Sequence, residues 1–587
     1  MLRAAGVYAV VSWFLIQVLA SAARLTALPS WSVRAALALS FAGLPVALGV
    51  TWVLRGRGEP VGSDPNRHPT RDRGTTHPRP SGRGQQEPAE GDSGSGRPLP
   101  FRLPRMETVL LAALALVGIA LWGYRTRSGV PGSGSVAVLP FENVTGDPDQ
   151  DYFSQGVSDE IRSALASIPG LEVASRTSSF RLAVSGAGAK EIAERLGVSS
   201  VLEGSVQRAE DRVRVTVSLV DARSDKQLWS ESYDQRLSVD NIFAVEAEIA
   251  GAVTRALRGT LGGDATLRGR APTSLAAHDL YLLGLYHWNR RTGDELLQAA
   301  EFFREAVRQD PEYALAHAGL ANTYLLLPLY AGTPADTAMP RARAAASRAL
   351  ALDSTLAEAH AALAFVRTTY DWDFQQAVEG FEKALSLDPS YATGREWYGV
   401  LLDALGRFDE ALEELERARS LDPMSAIINA VLGNHLIFVG RYDDAVRQLE
   451  RTLQLQPDLP LALQFLAEAH LLEGRPDEAL VALRRMATAT GTDPGAWERV
   501  VGGITDPDQR DLAIRTLTEM GHRGTISPFV RAQYLVLVGA QQEAFAALSQ
   551  AVEVRDFLLF QADADPVFDR IQDRASFEAV LARMGLR

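Results

Sequence analysis

Three apolar runs near the amino terminus break an otherwise mixed pattern. Residues 4–23 and 35–54 each run 20 residues without a formal charge, and within 106–125 the 17 residues Thr108–Tyr124 are uncharged. A helix of 20 residues at ~1.5 Å per residue is ~30 Å long, the thickness of a bilayer's hydrocarbon core. The pattern therefore predicts three transmembrane helices. Trp13, Trp31, Trp52, Trp122 and Tyr124 lie in or near the runs, several of them at the ends where aromatic belts form. For residues 1–23 the alternative is a cleaved signal peptide, with Arg3 ahead of the apolar run and Ala20-Ser21-Ala22 as the small-residue site. The length of the run and the close second span favour retention. Between the second and third runs, residues 56–105 show no apolar periodicity and are rich in Arg, Pro, Gly and Ser. Such a segment cannot bury a core and reads as a disordered linker.

Past a flexible Ser128–Ser135 link the period changes. Val136–Phe141 and Leu171–Ala174 are short apolar strands, and Asp151–Ile168 places Phe153, Val157, Ile161 and Leu165 on one helical face. Ala189–Leu196 is a short helix. Val201–Gln207 and Arg212–Asp221 alternate like half-buried strands, Lys226–Arg236 makes a further strand, and Ile242–Leu257 is a long helix. The segment 134–260 is thus expected to be a small α/β domain.

From residue 273 the pattern repeats. Asp310-Pro311, Asp388-Pro389, Asp422-Pro423 and Gln456-Pro457 close helical patterns in the same way, and Pro389, Pro423 and Pro457 are spaced by 34 residues. Asp353-Ser354 takes the same place in another repeat, and Asp493-Pro494 marks a last, irregular one. Ala364, Gly399, Gly433 and Ala467 each fall ten residues after a mark. Small residues at such places let two helices approach closely. A 34-residue period of paired amphipathic helices is the signature of the tetratricopeptide repeat (TPR), whose units stack because none can bury its apolar face alone. Residues 273–494 carry the repeats, with an insertion expected around Ala331–Pro340. Residues 495–587 continue helical as a cap, and "LFQADADPVFDRIQDRASFEAVLARMGL" is similar to the usual ending of such proteins.

The middle domain carries a second resemblance. "SVAVLPFENVTGDPDQDYFSQGVSDEI", "VASRTSSFR", "LGVSSVLEGSVQRAEDRVRVTVSLVDARSDKQLWSESYD" and "IFAVEAEIA" resemble the TolB-like amino-terminal domain, itself related to a flagellar outer-membrane-associated family. "LAVSGAGAK" departs from that pattern. The resemblance implies a bacterial protein in which this domain stands between a membrane span and TPR repeats. Some such proteins begin with an adenylate cyclase, a protein kinase or a winged-helix domain. None of these modules is expected ahead of the spans here, so none of their activities is transferred. The fold class is accordingly mainly α: transmembrane helices, a small α/β (TolB-like) domain, then an α-solenoid of TPR helix pairs.

Charge decides the orientation. Arg55–Arg105 carries ten Arg and borders two spans, which by the positive-inside rule makes it cytoplasmic. Everything after Tyr124 is then extracytoplasmic, on a multi-pass protein of the bacterial cytoplasmic membrane. The linker's arginines are placed to touch anionic lipid, the simpler reading being a solvated tether. The net charge of −13 hides a basic front and an acidic body, which argues against nucleic-acid binding by the body. With no Cys in the chain, disulfides, thiolate catalysis and Cys-ligated metals are excluded.

Candidate chemistry is sparse. Asp147, Asp149, Asp151, Asp159 and Glu160 invite a metal or acid–base reading, against which stands a charged loop leading into a helix whose dipole favours acids. Gly186-Ala187-Gly188-Ala189-Lys190 lacks phosphate-loop spacing. Asn143-Val144-Thr145 is a formal sequon. His317 and His360 share one repeat position and read as packing, as do His278 and His287. No catalytic, metal or cofactor site is expected; the reading is a scaffold, with a membrane signalling protein lacking its catalytic module as the alternative. The TPR resemblance implies a concave groove lined by Asn322, Glu358, Phe365, Glu396, Asp403, Asn434, Phe438, Gln464 and Glu468, with Leu315, Leu326, Val400, Ile427 and Leu471 among them. Chaperone-binding TPR domains clamp a terminal carboxylate with Lys and Arg at these positions, which here hold none. The expected partner is a protein or peptide with apolar anchors and some positive charge, and the bilayer is a second partner through three helices.

Overall fold

The computed structural model describes residues 134–258 and 272–586, except 167, 169, 210 and 211. The three expected spans and the linker at 56–105 lie outside the described residues. Among those described, no helix is long and apolar enough to cross a membrane.

The first part is a mixed sheet flanked by helices. Strands β1 (Ser135–Val138), β2 (Glu142–Asn143), β3 (Glu172–Val173), β4 (Ser200–Ala209), β5 (Arg212–Asp221) and β6 (Lys226–Arg236) are ordered β3-β1-β4-β5-β6, with β2 pairing β4. β1 runs parallel to β3 and β4, whereas β4, β5 and β6 are antiparallel. Successive residues of a strand face opposite sides, and β1 shows it. Val136 and Val138 join the cluster with Val157 and Ile161 of α1 (Asp151–Ala166) and Ile249 of α4 (Val239–Arg258). Ala137 joins Leu182 of α2 (Arg176–Val184) and Ile192 of α3 (Ala189–Leu196) on the other face. Helix α2 is absent from the sequence reading because only Ser178, Ser179 and Leu182 of its nine residues are buried, too weak an apolar stripe to see. The Gly186–Lys190 run spans the turn between α2 and α3 and the start of α3, and Gly186 takes φ +77°.

Helix pairs then follow without interruption: α5 (Leu275–Trp288) and α6 (Gly293–Gln309), α7 (Ala314–Ala331) and α8 (Ala335–Leu352), α9 (Ala357–Val366) and α10 (Phe374–Leu387). Next come α11 (Ala392–Ala404) and α12 (Phe408–Leu421), α13 (Ala426–Phe438) and α14 (Tyr442–Leu455), α15 (Pro460–Leu472) and α16 (Pro476–Thr490). Helices α17 (Pro494–Thr505), α18 (Arg510–His522), α19 (Pro528–Val538), α20 (Gln541–Glu553) and α21 (Arg574–Arg583) complete the chain. The insertion of the second repeat is not a loop. It lengthens α7 and α8 to 18 residues each, leaving only Gly332–Pro334 between them.

The small residues ten after each mark sit at the contact within a pair. A Cβ on Gly433 would stand 2.6 Å from Leu449 Cγ, and one on Gly399 2.7 Å from Leu415 Cγ. The position six after each mark has its own task. His317, His360, Arg395 and Asn429 each donate to the backbone carbonyl of the mark, at Pro311, Ser354, Pro389 and Pro423. Where Leu463 fills that position, Arg485 from α16 reaches the Pro457 carbonyl instead. The shared histidine position is therefore a tie across the inter-repeat turn, satisfying a turn carbonyl that lies outside both helices' own hydrogen-bond ladders.

The α/β domain and the solenoid share one apolar core, since the cluster holding Val136 and Ile161 continues through Leu282 and Phe303 to Leu401. Polar ties join them at two places. At the first pair, Arg208 makes a bidentate pair with Asp279 at 2.9 and 2.7 Å. Farther along, Ser178 Oγ donates to Asp422 at 2.6 Å and accepts from Met424 N at 2.9 Å, while Arg181 donates to the Leu455 carbonyl. Helix α2 thus bridges to the α12–α13 turn, across the inner helices.

Candidate functional site

The inner helices α7, α9, α11, α13 and α15 carry the residues expected to line the groove, and the structure divides them into two sets. Asn322, Glu358 and Glu396 line a cavity of about 400 Å³ closed on its other side by α1 and α2 of the α/β domain. Leu315 and Ile427 line it too. Phe365, Asp403, Asn434 and Glu468 meet other parts of the chain itself. Leu326 and Leu471 are buried, whereas Val400, Phe438 and Gln464 are half-buried.

Of the second set, Phe365 and Asn434 meet the segment after α20, Glu468 meets Gln533 of α19, and Asp403 meets His435 of α13. Phe365 stacks on Trp397 with centroids 4.9 Å apart, and takes the edges of Phe557 at 5.8 Å and Phe560 at 6.4 Å. Asn434 donates to Gln561 Oε1 at 3.4 Å. Gln533 shares its amide between Glu468 (3.4 Å) and Asp565 (2.7 Å). Burial raises the Glu468 carboxyl well above its ordinary range, and the nearby Asp565 adds to the shift. Asp403 lies 2.7 Å from His435 Nδ1, and burial raises its carboxyl against the opposing pull of that histidine. Arg555, itself in left-handed backbone at φ 54°, packs its guanidinium 3.9 Å from the Trp372 ring and donates to the Tyr370 carbonyl.

The cavity on the first side is polar and aromatic. Glu396 is 7% exposed, and burial pushes its carboxyl up to about 7, with Arg291 pulling it down and Asp422 pushing it further up. Arg291 comes from the α5–α6 turn at φ 54° and lies 4.1 Å over the Trp288 ring. A non-glycine residue in that region costs on the order of 1 kcal/mol. Tyr330 and Tyr391 also line the space. None of these four was singled out from the sequence; only the frame of the repeats could have placed them, and the α5–α6 turn lies outside its regular positions.

Glu160 and Glu246 of the cavity lining form a buried trio with His278. His278 Nε2 is 3.0 Å from both Glu160 oxygens. Burial opposes charge on His278, but the Glu160 carboxylate outweighs it and raises the histidine. Burial and then Glu160 push the Glu246 carboxyl well up. The acidic cluster of the sequence reading disperses around it. Asp147 accepts from the Asp149 amide, Asp151 from Asn143, and Asp159 pairs with Arg162. Among the described residues no group of three or more His, Asp or Glu is arranged to hold a metal. The His278 reading changes accordingly: it packs, but as the partner of a carboxylate between two domains.

Two models of the tetratricopeptide repeat match the chain, over residues 373–434 and 431–494. The inner and outer helices of those residues are α10–α16, so the carboxy-terminal region carries TPR repeats over 373–494. A curated relative, putative adenylate cyclase 3 of Rhizobium meliloti (strain 1021), is 34% identical over 194 residues, 33% of this chain and 33% of that protein. The chain thus spans about a third of the length of the relative it matches. Among solved structures, a thermophilic TPR protein of Thermus thermophilus aligns at 23% identity and a TM-score of 0.29, over 33% of this chain and all of the other. PilF of Pseudomonas aeruginosa aligns at 25% identity and a TM-score of 0.28, over 34% and 90%.

Proposed function

We propose that this chain is a membrane-anchored TPR scaffold that recruits a protein or peptide partner on the extracytoplasmic side. The observation that carries the recruiting role is a run of TPR helix pairs whose inner helices border an accessible polar cavity. The anchoring rests on the three apolar runs, and the side on the ten arginines of Arg55–Arg105. The α/β domain is read as TolB-like from the phrases quoted above; its mixed sheet with helices on both faces suits that reading. Crosslinking on intact cells, followed by capture of the full-length chain, tests the role. A partner recovered reproducibly, and lost when the groove face is altered, supports it; capture of no protein overturns it. Alkaline phosphatase joined at residue 130 is expected to be active and a fusion near Gly84 inactive. An inactive fusion at 130 reverses the topology.

A second reading, a membrane regulatory protein related to cyclase-associated chains, draws on the 34% identity to the putative adenylate cyclase. It differs from the first in requiring a second messenger to change with occupancy of the groove.

A further inference from the structure

We propose that the cavity between the α/β domain and the inner helices binds a guanidinium or ammonium head, received by the Glu396 carboxylate and the Asn322 amide oxygen. This rests on the scaffold reading and names the anchor of its partner: a basic side chain.

The unmatched groups point this way. Glu396 is 7% exposed, and among the described residues it makes no hydrogen bond or ion pair. Asn322 is also 7% exposed, and its Oδ1 has no hydrogen-bond partner. Both acceptors stand in one cavity without donors, beside the unpartnered carboxyl oxygens of Glu246, and a buried acceptor without a donor costs about 1–3 kcal/mol. The cavity's cations do not supply them. Arg162 is engaged by Asp159, Arg181 by the Leu455 carbonyl and Arg290 by Glu295. Arg176 lies 3.7 Å from Asp159; Arg291, whose charge lowers the Glu396 carboxyl without forming an ion pair with it, is hydrogen-bonded to Tyr330 and lies over Trp288. That last contact shows that the aromatic wall accepts a guanidinium face, and Tyr330 and Tyr391 extend the wall. Trp288 Nε1 and Arg176 Nε are donors without acceptors on the same lining. They suit a ligand body carrying carbonyl oxygens, as a peptide does. The space of about 400 Å³ accommodates an arginine side chain with its flanking backbone, and exposed Thr177, Arg290 and Gln456 mark its opening.

A guanidinium can come from a peptide or from a free amine, and the test separates them. Calorimetric titration of the purified full-length protein at pH 8, where Glu396 is ionised, uses Nα-acetyl-arginine amide, its neutral isostere Nα-acetyl-citrulline amide, and agmatine. The arginine amide is expected to bind at least ~10-fold more tightly than the citrulline amide, a difference of ~1.4 kcal/mol. Glu396→Gln is expected to remove at least ~10-fold of that affinity. Agmatine binding as tightly as the arginine amide identifies a free cation as the ligand. Agmatine binding at least ~10-fold more weakly identifies a peptide. Equal binding of the citrulline amide, or no binding of either cation, overturns the proposal without need of any variant. A partner still captured by crosslinking in that case leaves the scaffold role intact and removes only this anchor.

Discussion

The two halves of the concave face solve one problem in opposite ways. Repeat proteins present inner helices to a groove, and whatever lines it is either covered or left to solvent and ligands. On α9, α13 and α15 the chain covers part of its own groove: Phe557 and Phe560 meet Phe365, Gln561 meets Asn434, and Gln533 is shared between Glu468 and Asp565. Around α7 and α11 the α/β domain roofs the groove without filling it: Asn322 Oδ1 has no hydrogen-bond partner, and Glu396 feels the Arg291 charge without an ion pair to it. The covered half has the chemistry of a core and the roofed half that of a site. The lining residue types do not tell the two apart, since Glu396 and Glu468 occupy equivalent faces of their helices and both have raised carboxyls.

The largest expected effect belongs to the covered half. Phe560 is fully buried, so Phe560→Ala is expected to cost ~3–5 kcal/mol in denaturant unfolding of the full-length protein. A cost under ~1 kcal/mol would mean that the segment after α20 merely rests on the groove. The roofed half is sharpened by pH. The folded-state carboxyl of Glu396 is raised to about 7, so the native state binds a proton that the unfolded chain releases near the ordinary ~4.3. Its stabilising contribution is fully present below the unfolded value and is lost as pH rises through about 7. Glu396→Gln is therefore expected to be near-neutral at pH 4 and to become more stable than the native chain by up to ~3 kcal/mol by pH 8. Parallel stability–pH curves for the two proteins would contradict this.

A smaller effect tests the frame in which both halves are compared. Gly433 faces Leu449 with no room for a Cβ, so Gly433→Trp should cost at least ~1–3 kcal/mol by overpacking. The smallest effect is expected at Asp443, whose side chain is 75% exposed and pairs with Arg475 at 3.0 Å. Asp443→Ala should fall within ~0.5 kcal/mol. Equal melting temperatures for these two variants would displace the repeat boundaries.

Much of the architecture was legible along the chain. The 34-residue spacing of Pro389, Pro423 and Pro457 located the helix pairs, because a turn between stacked repeats recurs wherever the same packing recurs. The alternation of β4 and β5 was equally plain, since one face of each is buried. The site was only half legible. Its groove positions follow from the repeat frame, but Arg291, Trp288, Tyr330 and Tyr391 enter it from a turn, helix ends and neighbouring helices that the frame does not describe. Helix α2 was hidden for a related reason: it spends its polar atoms on distant partners, Ser178 on Asp422 and Arg181 on Leu455, rather than on an apolar stripe.

By itself the sequence determined the local periods, the repeat boundaries, the small residues at helix contacts and the charge asymmetry, all of which depend on neighbours within one or two repeats. Tertiary structure alone decided which half of the groove is filled. Phe557 meets a residue 192 positions earlier, Phe365, and Ser178 meets one 244 positions later. Contacts of that separation leave no period along the chain, because they join unlike elements once rather than like elements repeatedly. Whether a buried carboxylate such as Glu396 is matched depends on those contacts, not on the helix that carries it.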